Sequence, residues 1–359
     1  MRILFVKLGS IGDIVHALPA LAAVRRALPG AEISWVVERG AAEILRDNPF
    51  LESLIVIDTK ALRRAPVSGE TLSATRRQLR RLRASAFDSA LDFQGLLKSA
   101  FIARLSGARR VYGFDRPNLR EPASRFLLSH AVGVAPRQNI IRKNLSLAAG
   151  SLNIDVPADA RDFEFPVGVL DEHVGEADRA QAATAGGDFA ILNPGGGWPT
   201  KLWDAARFGA LADALWERQG LRTLVTAGPN ESELAARVTA ASRSGAARGV
   251  SLSLKGFYEL ARRASVYVGG DTGPTHLAVA AGAPVVGLFG PTEWWRNGSP
   301  RAEDVEVGRA DIGCRADCHR RACSAWVCMD VEVGRVVEAV EERLRRARAA
   351  RRAEVLTIA

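Results

Sequence analysis

The chain has 359 residues, 47% of them apolar and 25% charged, with a mean hydropathy of -0.01. At about 100 to 200 residues per domain this is enough for two hydrophobic cores, which excludes a disulfide-stapled miniprotein, a fibre and a disordered chain. The 49 Lys+Arg against 40 Asp+Glu leave a net charge of +9, which favours anionic partners: phosphates, nucleic acid or acidic membrane surfaces. Much of the excess lies in two arginine-rich, helix-patterned segments, 76–83 and 343–352, either of which also reads as a solvated helix face. No uncharged apolar run reaches the roughly 18 residues of a spanning helix, and Lys7 interrupts the first apolar stretch. Neither a membrane span nor a signal peptide is expected, and the cytoplasm is the default compartment.

The first half alternates short β-branched runs with helical patterns: strands over 3–7, 33–37, 54–57 and 89–93, helices over 14–28, 41–46 and 72–86. Such alternation predicts a parallel sheet covered by helices. A Pro-, Asp- and Gly-containing stretch over 155–187 precedes a second series. Its strands fall at 189–193, 223–227, 266–268 and 285–289, and its helices at 205–218, 231–241, 257–264 and 275–281. The reading is α/β: two doubly wound, Rossmann-like domains facing a central cleft, where open sheets of this kind bind ligands. The domains are drawn at 1–175 and 176–330, followed by a C-terminal helix and basic tail at 331–359. In that tail Val333, Val336, Val337, Val340 and Leu344 form an apolar stripe, and Arg345, Arg346 and Arg348 are left to solvent.

Three glycine-rich strand ends carry the chemistry. The first strand runs into Gly9-Ser10-Ile11-Gly12-Asp13, where glycines permit a sharp turn and a helix start offers amide donors to an anion or polar substrate. The spacing is not GxGxxG, and Asp13 falls where an N-cap carboxylate is expected. Asn193-Pro-Gly195-Gly196-Gly197-Trp198 is followed by Lys201, so exposed amides and a point charge suit a phosphate. Gly269-Gly270-Asp271-Thr272-Gly273-Pro274-Thr275-His276 ends a strand and begins a helix, whose dipole favours a diphosphate. Gly287 to Thr292 closes the next strand in the same manner, and Trp198, Trp203, Trp294 and Trp295 are expected around this pocket.

These residues resemble a known family, the bacterial lipopolysaccharide heptosyltransferases of glycosyltransferase family 9. The resemblance rests on the opening 1–21, Trp35-Val-Val-Glu38, Asp92-Phe-Gln-Gly-Leu-Leu-Lys-Ser99, Arg120-Glu-Pro122 and Asp271-Thr-Gly-Pro-Thr-His276, in order over nearly the whole chain. The opening is most similar to the heptosyltransferase I branch. The resemblance implies a two-domain GT-B fold, an acceptor-binding N-terminal domain and a C-terminal domain for the nucleotide sugar. It implies inverting transfer of L-glycero-D-manno-heptose from ADP-heptose to the 3-deoxy-D-manno-octulosonic acid of the lipid A-linked inner core. Asp13 matches the general base. Lys201, Glu231, Asp271, Thr272, Gly273, Thr275 and His276 match donor-binding positions, with Glu231 toward the adenosine ribose. Ser10, Gly12, Arg63, Arg64, Gln94, Lys98 and Arg120 are the acceptor-side candidates, and Arg142 reads more simply as a surface residue. No cofactor is implied. Location at the cytoplasmic face of the inner membrane, by peripheral contact, follows from the lipid-linked acceptor.

The alternatives are a family 9 transferase using another nucleotide sugar or a later core acceptor, as in heptosyltransferase II, and a non-enzymatic binder of anionic surfaces or nucleic acid. The second lacks a stacking platform or nucleic-acid motif. The cysteines, Cys314-x3-Cys318-x4-Cys323-x4-Cys328, depart from the heptosyltransferase I pattern. They lack the CxxC knuckle of structural zinc, so no metal is assigned, although zinc, an iron–sulfur cluster, free thiols and a redox-dependent disulfide all remain open.

Overall fold

The computed structural model describes residues 1–59, 73, 76, 77, 80, 82–228, 231–314, 318 and 320–358. The chain divides into two compact units, Met1–Gly168 and Val169–Ala359. The division falls before the helix Asp171–Ala182, not within it as the 175/176 boundary had it, because that helix packs on Leu254–Ala261 of the second unit. The C-terminal helix, Val333–Ile358, likewise belongs to the second unit: Val336, Val337, Val340 and Leu344 are buried in its core.

The first sheet contains β1 (Arg2–Val6), β2 (Glu32–Glu38), β3 (Ser53–Ile57), β4 (Ser89–Asp92), β5 (Arg110–Phe114) and β6 (His130–Val132), in the order β3-β2-β1-β4-β5-β6. The second contains β7 (Phe189–Asn193), β8 (Arg222–Thr226), β9 (Ala247–Val250), β10 (Val266–Gly270), β11 (Val285–Leu288) and β12 (Val305–Val307), in the order β12-β11-β10-β7-β8-β9. Every pairing is parallel. The two sheets share one topology, with the first strand central and the order reversing beside it. Ligands of doubly wound sheets bind at that reversal, beyond the carboxyl ends of the strands. The reversals lie between β1 and β4 and between β7 and β10.

Central strands are apolar throughout, since both faces are covered: β1 and β7 are buried along nearly their whole length. The helix expected over 14–28 is two, α1 (Ile11–Val15) and α2 (Leu18–Ala27). Pro19 lies in the first turn of α2, where its missing N–H and its ring can be tolerated, so the chain breaks ahead of it. The segment 41–46 forms two short 3-10 turns, Arg39–Ala41 and Glu43–Leu45, not a helix. Helices α3 (Leu97–Leu105) and α4 (Ile140–Leu152) also lie in the first unit. The arginine tail is not wholly a solvated face: Arg343 is buried and donates to the buried Asp304 at 2.7 Å. Among the described residues no helix is long and apolar enough to cross a membrane.

Candidate active site

In the first unit the chain leaves β1 at Lys7 and enters α1 through Ser10. Ser10, not Asp13, is the N-cap, and Asp13 stands three residues on. Its Oδ2 accepts from the Ser10 N–H at 2.8 Å and the Ser10 hydroxyl at 3.3 Å, while Oδ1 lies 3.6 Å from the Lys7 ammonium. The Asp13 side chain is 33% exposed against 4% for Lys7, so solvent or a substrate reaches the carboxylate past a buried cation. Lys7 also donates to the Phe93 carbonyl at 2.8 Å, which ties the end of β1 to the end of β4.

Asp92, at the end of β4, is fully buried. Burial pushes its carboxyl up to about 6, against hydrogen bonds from the Gln94 and Gly95 amides and the Ser99 hydroxyl and the nearby Lys7 charge. The Gln94 side-chain carbonyl accepts the Leu8 N–H at 3.1 Å. Gly95, at φ +68, turns close to the Arg120 backbone, and its carbonyl accepts from Glu121. Arg120 is exposed beside that turn. Ser10, Gly12, Asp13, Gln94 and Arg120 thus gather on the three segments that follow β1, β4 and β5, laced together beside the reversal of the first sheet. Lys98 is engaged: it donates to Glu38 at 2.9 Å and to the Thr59 hydroxyl at 3.1 Å. Arg63 and Arg64 lie outside the described residues. Arg142 donates to the Ala158 carbonyl and lies over the Phe163 ring, a packing role.

In the second unit the loop after β7 comes against the loop after β10. Lys201 donates to Asp271 Oδ2 at 2.7 Å and to the Asp271 carbonyl at 3.0 Å, and it lies 4.4 Å over the Trp198 ring. His276 Nε2 lies 3.2 Å from Asp271 Oδ1. Burial pushes the Asp271 carboxyl up, but its bonds to His276 and Lys201 outweigh this and hold it well below the usual carboxylate range. Asp271 is therefore a buried anion that organises two cationic or donor groups, and any anion at this loop would have to compete with it for Lys201.

The helix Gly273–Ala280 begins after Thr272, and no side chain caps it. Its first amides are therefore available to an anion. Thr275 serves the scaffold: its hydroxyl donates to the Gly270 carbonyl and meets the Tyr267 hydroxyl at 2.9 Å. Glu231 braces two glycine loops, accepting the Gly196 N–H at 3.1 Å and the Gly228 N–H at 3.0 Å. One of the three glycine amides expected to face a phosphate is thus already engaged. A Cβ on Gly195 would stand 2.3 Å from Glu231 Oε2, so this close approach requires glycine. Trp203 is a correction: it is buried in the core, stacked edge-on against Phe208 and donating to the Val331 carbonyl.

Lys7 and Asp92 join this cluster although neither is a site candidate from sequence alone. The signal was present in both: a charge in, or directly beyond, a buried central strand must find a partner. Among the described residues no three His, Cys, Asp or Glu side chains form a metal-coordinating array.

Two Rossmann-like units, each with a glycine-rich loop at the reversal of its sheet, have the GT-B architecture, and similarity to known proteins makes this specific. The family model for glycosyltransferase family 9 (heptosyltransferase) matches residues 75–325. Lipopolysaccharide heptosyltransferase 1 of Pseudomonas aeruginosa is 34% identical over 326 residues, covering 90% of this chain and 88% of that protein. The Escherichia coli K12 protein of the same name is 30% identical over 307 residues, covering 82% and 89%. Among solved structures, E. coli heptosyltransferase WaaC with ADP superposes with a TM-score of 0.77 at 26% identity, covering 96% of this chain and all (100%) of that one. The chain belongs to glycosyltransferase family 9, and it is a heptosyltransferase I-like glycosyltransferase.

Proposed function

We propose that the protein transfers L-glycero-D-manno-heptose from ADP-heptose to the 3-deoxy-D-manno-octulosonic acid of a lipid A-linked inner core, with inversion at the anomeric carbon. The observation that carries this reading is a partly exposed carboxylate, Asp13, at the reversal of the first sheet, in a chain whose second sheet holds Lys201 and an uncapped helix start at its own reversal. An acceptor hydroxyl that attacks the anomeric carbon loses its proton to Asp13 Oδ1 as the bond to the ADP oxygen breaks. Ser10 holds the other oxygen of Asp13, which leaves Oδ1 as the atom that receives the proton.

Charge develops on the departing diphosphate, where Lys201 and the amides of Gly273 and its neighbours stabilise it. Asp271 positions Lys201 and His276 and does not itself face a phosphate. Glu231 shapes the glycine loop and retains acceptor capacity for a ribose hydroxyl. Arg120 and the third N–H of Lys98 are suited to the acceptor's carboxylates and phosphates. This acceptor is held in a bilayer, so the reading implies peripheral contact with the cytoplasmic face of the inner membrane, with the +9 charge in its favour. A nucleic-acid partner is not part of it.

The test is transfer from ADP-heptose to a deacylated inner-core acceptor, scored by mass, for the wild type and Asp13→Ala. A heptose-sized gain in the wild type that falls by about 10²-fold or more in the variant, with ADP affinity kept, supports donor, acceptor and base together. ADP binding without any gain in the wild type refutes the donor or the acceptor. Equal turnover by the variant refutes the base.

A further inference from the structure

The four cysteines take no part in the proposed transfer, yet they meet in one place. Cys314, Cys318, Cys323 and Cys328 all line one cavity of about 30 Å³, together with Thr200 and Arg320, a space sufficient for one small ion or water. No two of them are bonded to each other. Between Val307 and Val333 the described residues form no helix or strand, and Trp326 and Val327 are 43% and 40% exposed. Described residues this numerous without regular structure or a core of their own need another restraint.

The segment also grips the donor loop. Trp326 Nε1 donates to the Thr200 carbonyl at 2.9 Å, the Thr200 hydroxyl donates to the Arg320 carbonyl at 2.7 Å, and Arg321 lies over the Trp198 ring at 5.2 Å. Trp198 and Thr200 flank the turn that delivers Lys201.

We propose that Cys314, Cys318, Cys323 and Cys328 bind one tetrahedral transition-metal ion, zinc or ferrous iron, as thiolates, and that the ion clamps this segment onto the Lys201 loop. Two disulfides require only that sulfurs approach in pairs, whereas a four-ligand centre requires all four to face one space, as they do here. Four sulfurs bound at about 2.3 Å stand about 3.8 Å apart. The thiols line the cavity without yet forming such an array, and irregular backbone can contract around an ion because folding and metal binding are coupled in small loops. Burial pushes the Cys328 thiol up, and the other three cysteines add to this. A cation that binds the four thiols displaces their protons to solvent. Arg320 at the cavity offsets part of the remaining thiolate charge.

The full chain is expressed with zinc and iron supplied, purified without chelators and analysed for metal by mass spectrometry, then exchanged with Co²⁺. About one ion per chain is expected, with a thiolate-to-cobalt absorption band, and the Cys318→Ser/Cys323→Ser variant should lose both. Should that variant not fold, the wild type is titrated with a mercurial thiol reagent against a chromogenic chelator, and the metal should appear in step with thiol modification. Four titratable thiols with no bound metal overturn the proposal. So does a mass deficit of about 4 Da from two disulfides, metal retained by the variant, or metal released before any thiol reacts. These readouts do not depend on turnover, so they can fail without touching the proposed transfer, and the transfer can fail without touching them.

Discussion

The pair Lys201–Asp271 allows the scaffold's contribution to be separated from the ligand's. The two side chains are 13% and 6% exposed and 2.7 Å apart. Removing one partner of such a buried pair leaves an uncompensated charge and costs about 3 to 5 kcal/mol. Lys201→Met belongs at the lower end, because His276 remains beside Asp271. Asp271→Asn leaves Lys201 the Asp271-position carbonyl and the face of Trp198. A loss of about 3 kcal/mol in a unit of this size lowers Tm by roughly 6 to 12 °C. The double variant orphans neither charge, so its cost should fall short of the sum by about 2 to 3 kcal/mol. Calorimetric ADP titration then divides the roles. Lys201→Met deletes a charge-assisted bond of about 1.5 to 3 kcal/mol and should weaken ADP about ten- to a hundredfold. Asp271→Asn releases Lys201 from its competitor and should bind ADP at least as well as the wild type. Additive stability losses, or an Asp271→Asn variant that loses ADP as Lys201→Met does, would refute the assignment of Asp271 as the holder of Lys201.

Three further outcomes are expected. Gly195→Ala should disrupt the Glu231 brace and weaken ADP binding in the same titration, whereas Gly197→Ala, which meets open space, should leave it unchanged; equal effects would sink the argument. Asp92 holds its proton to about 6 when folded, above the 3.8 of an unperturbed carboxyl. Between those values the native state binds more protons than the unfolded one, so stability should fall by about 3 kcal/mol as pH rises through that window. Urea unfolding should show that decline in the wild type and its absence in Asp92→Asn. Arg343→Met strands the buried Asp304 carboxylate and should cost about 3 to 5 kcal/mol by the same urea assay, where a solvated arginine face would cost almost nothing.

The long periodic elements were legible because their residues repeat a single demand. Val336, Val337, Val340 and Leu344 must all meet one core, and they do. Glycine-rich strand ends were legible too, since Gly195 and Gly270 sit where neighbouring groups approach closely. Side-chain partnerships were not. Lys201 reads in sequence as a free charge for a phosphate, and only the fold brings Asp271 to it across 70 residues. Trp203 reads as part of an aromatic cluster, and only packing shows it facing Phe208 in the core. Local spacing contains no information on which of two apolar faces closes over a ring.

The strands missed in the sequence account for the site residues missed with them. β5 is buried from Val111 to Phe114 but Gly113 interrupts its apolar residues, and β6 has three residues, two of them exposed, so neither shows the continuous β-branched run that marks a buried parallel strand. Without them the strand order of the first sheet is undefined, and so is the place where it reverses. Lys7 and Asp92 acquire meaning only from that reversal. Lys7 directly follows β1 and Asp92 ends β4, and each is a charge that an all-apolar strand would otherwise exclude. They stand together because β1 and β4 are paired with Val6 opposite Asp92. The carboxylate proposed as the base is thus set by a strand pairing between residues 86 apart in sequence, Val6 and Asp92, with Lys7 donating to the Phe93 carbonyl just beyond it, and the glycine motif beside it supplies only the turn.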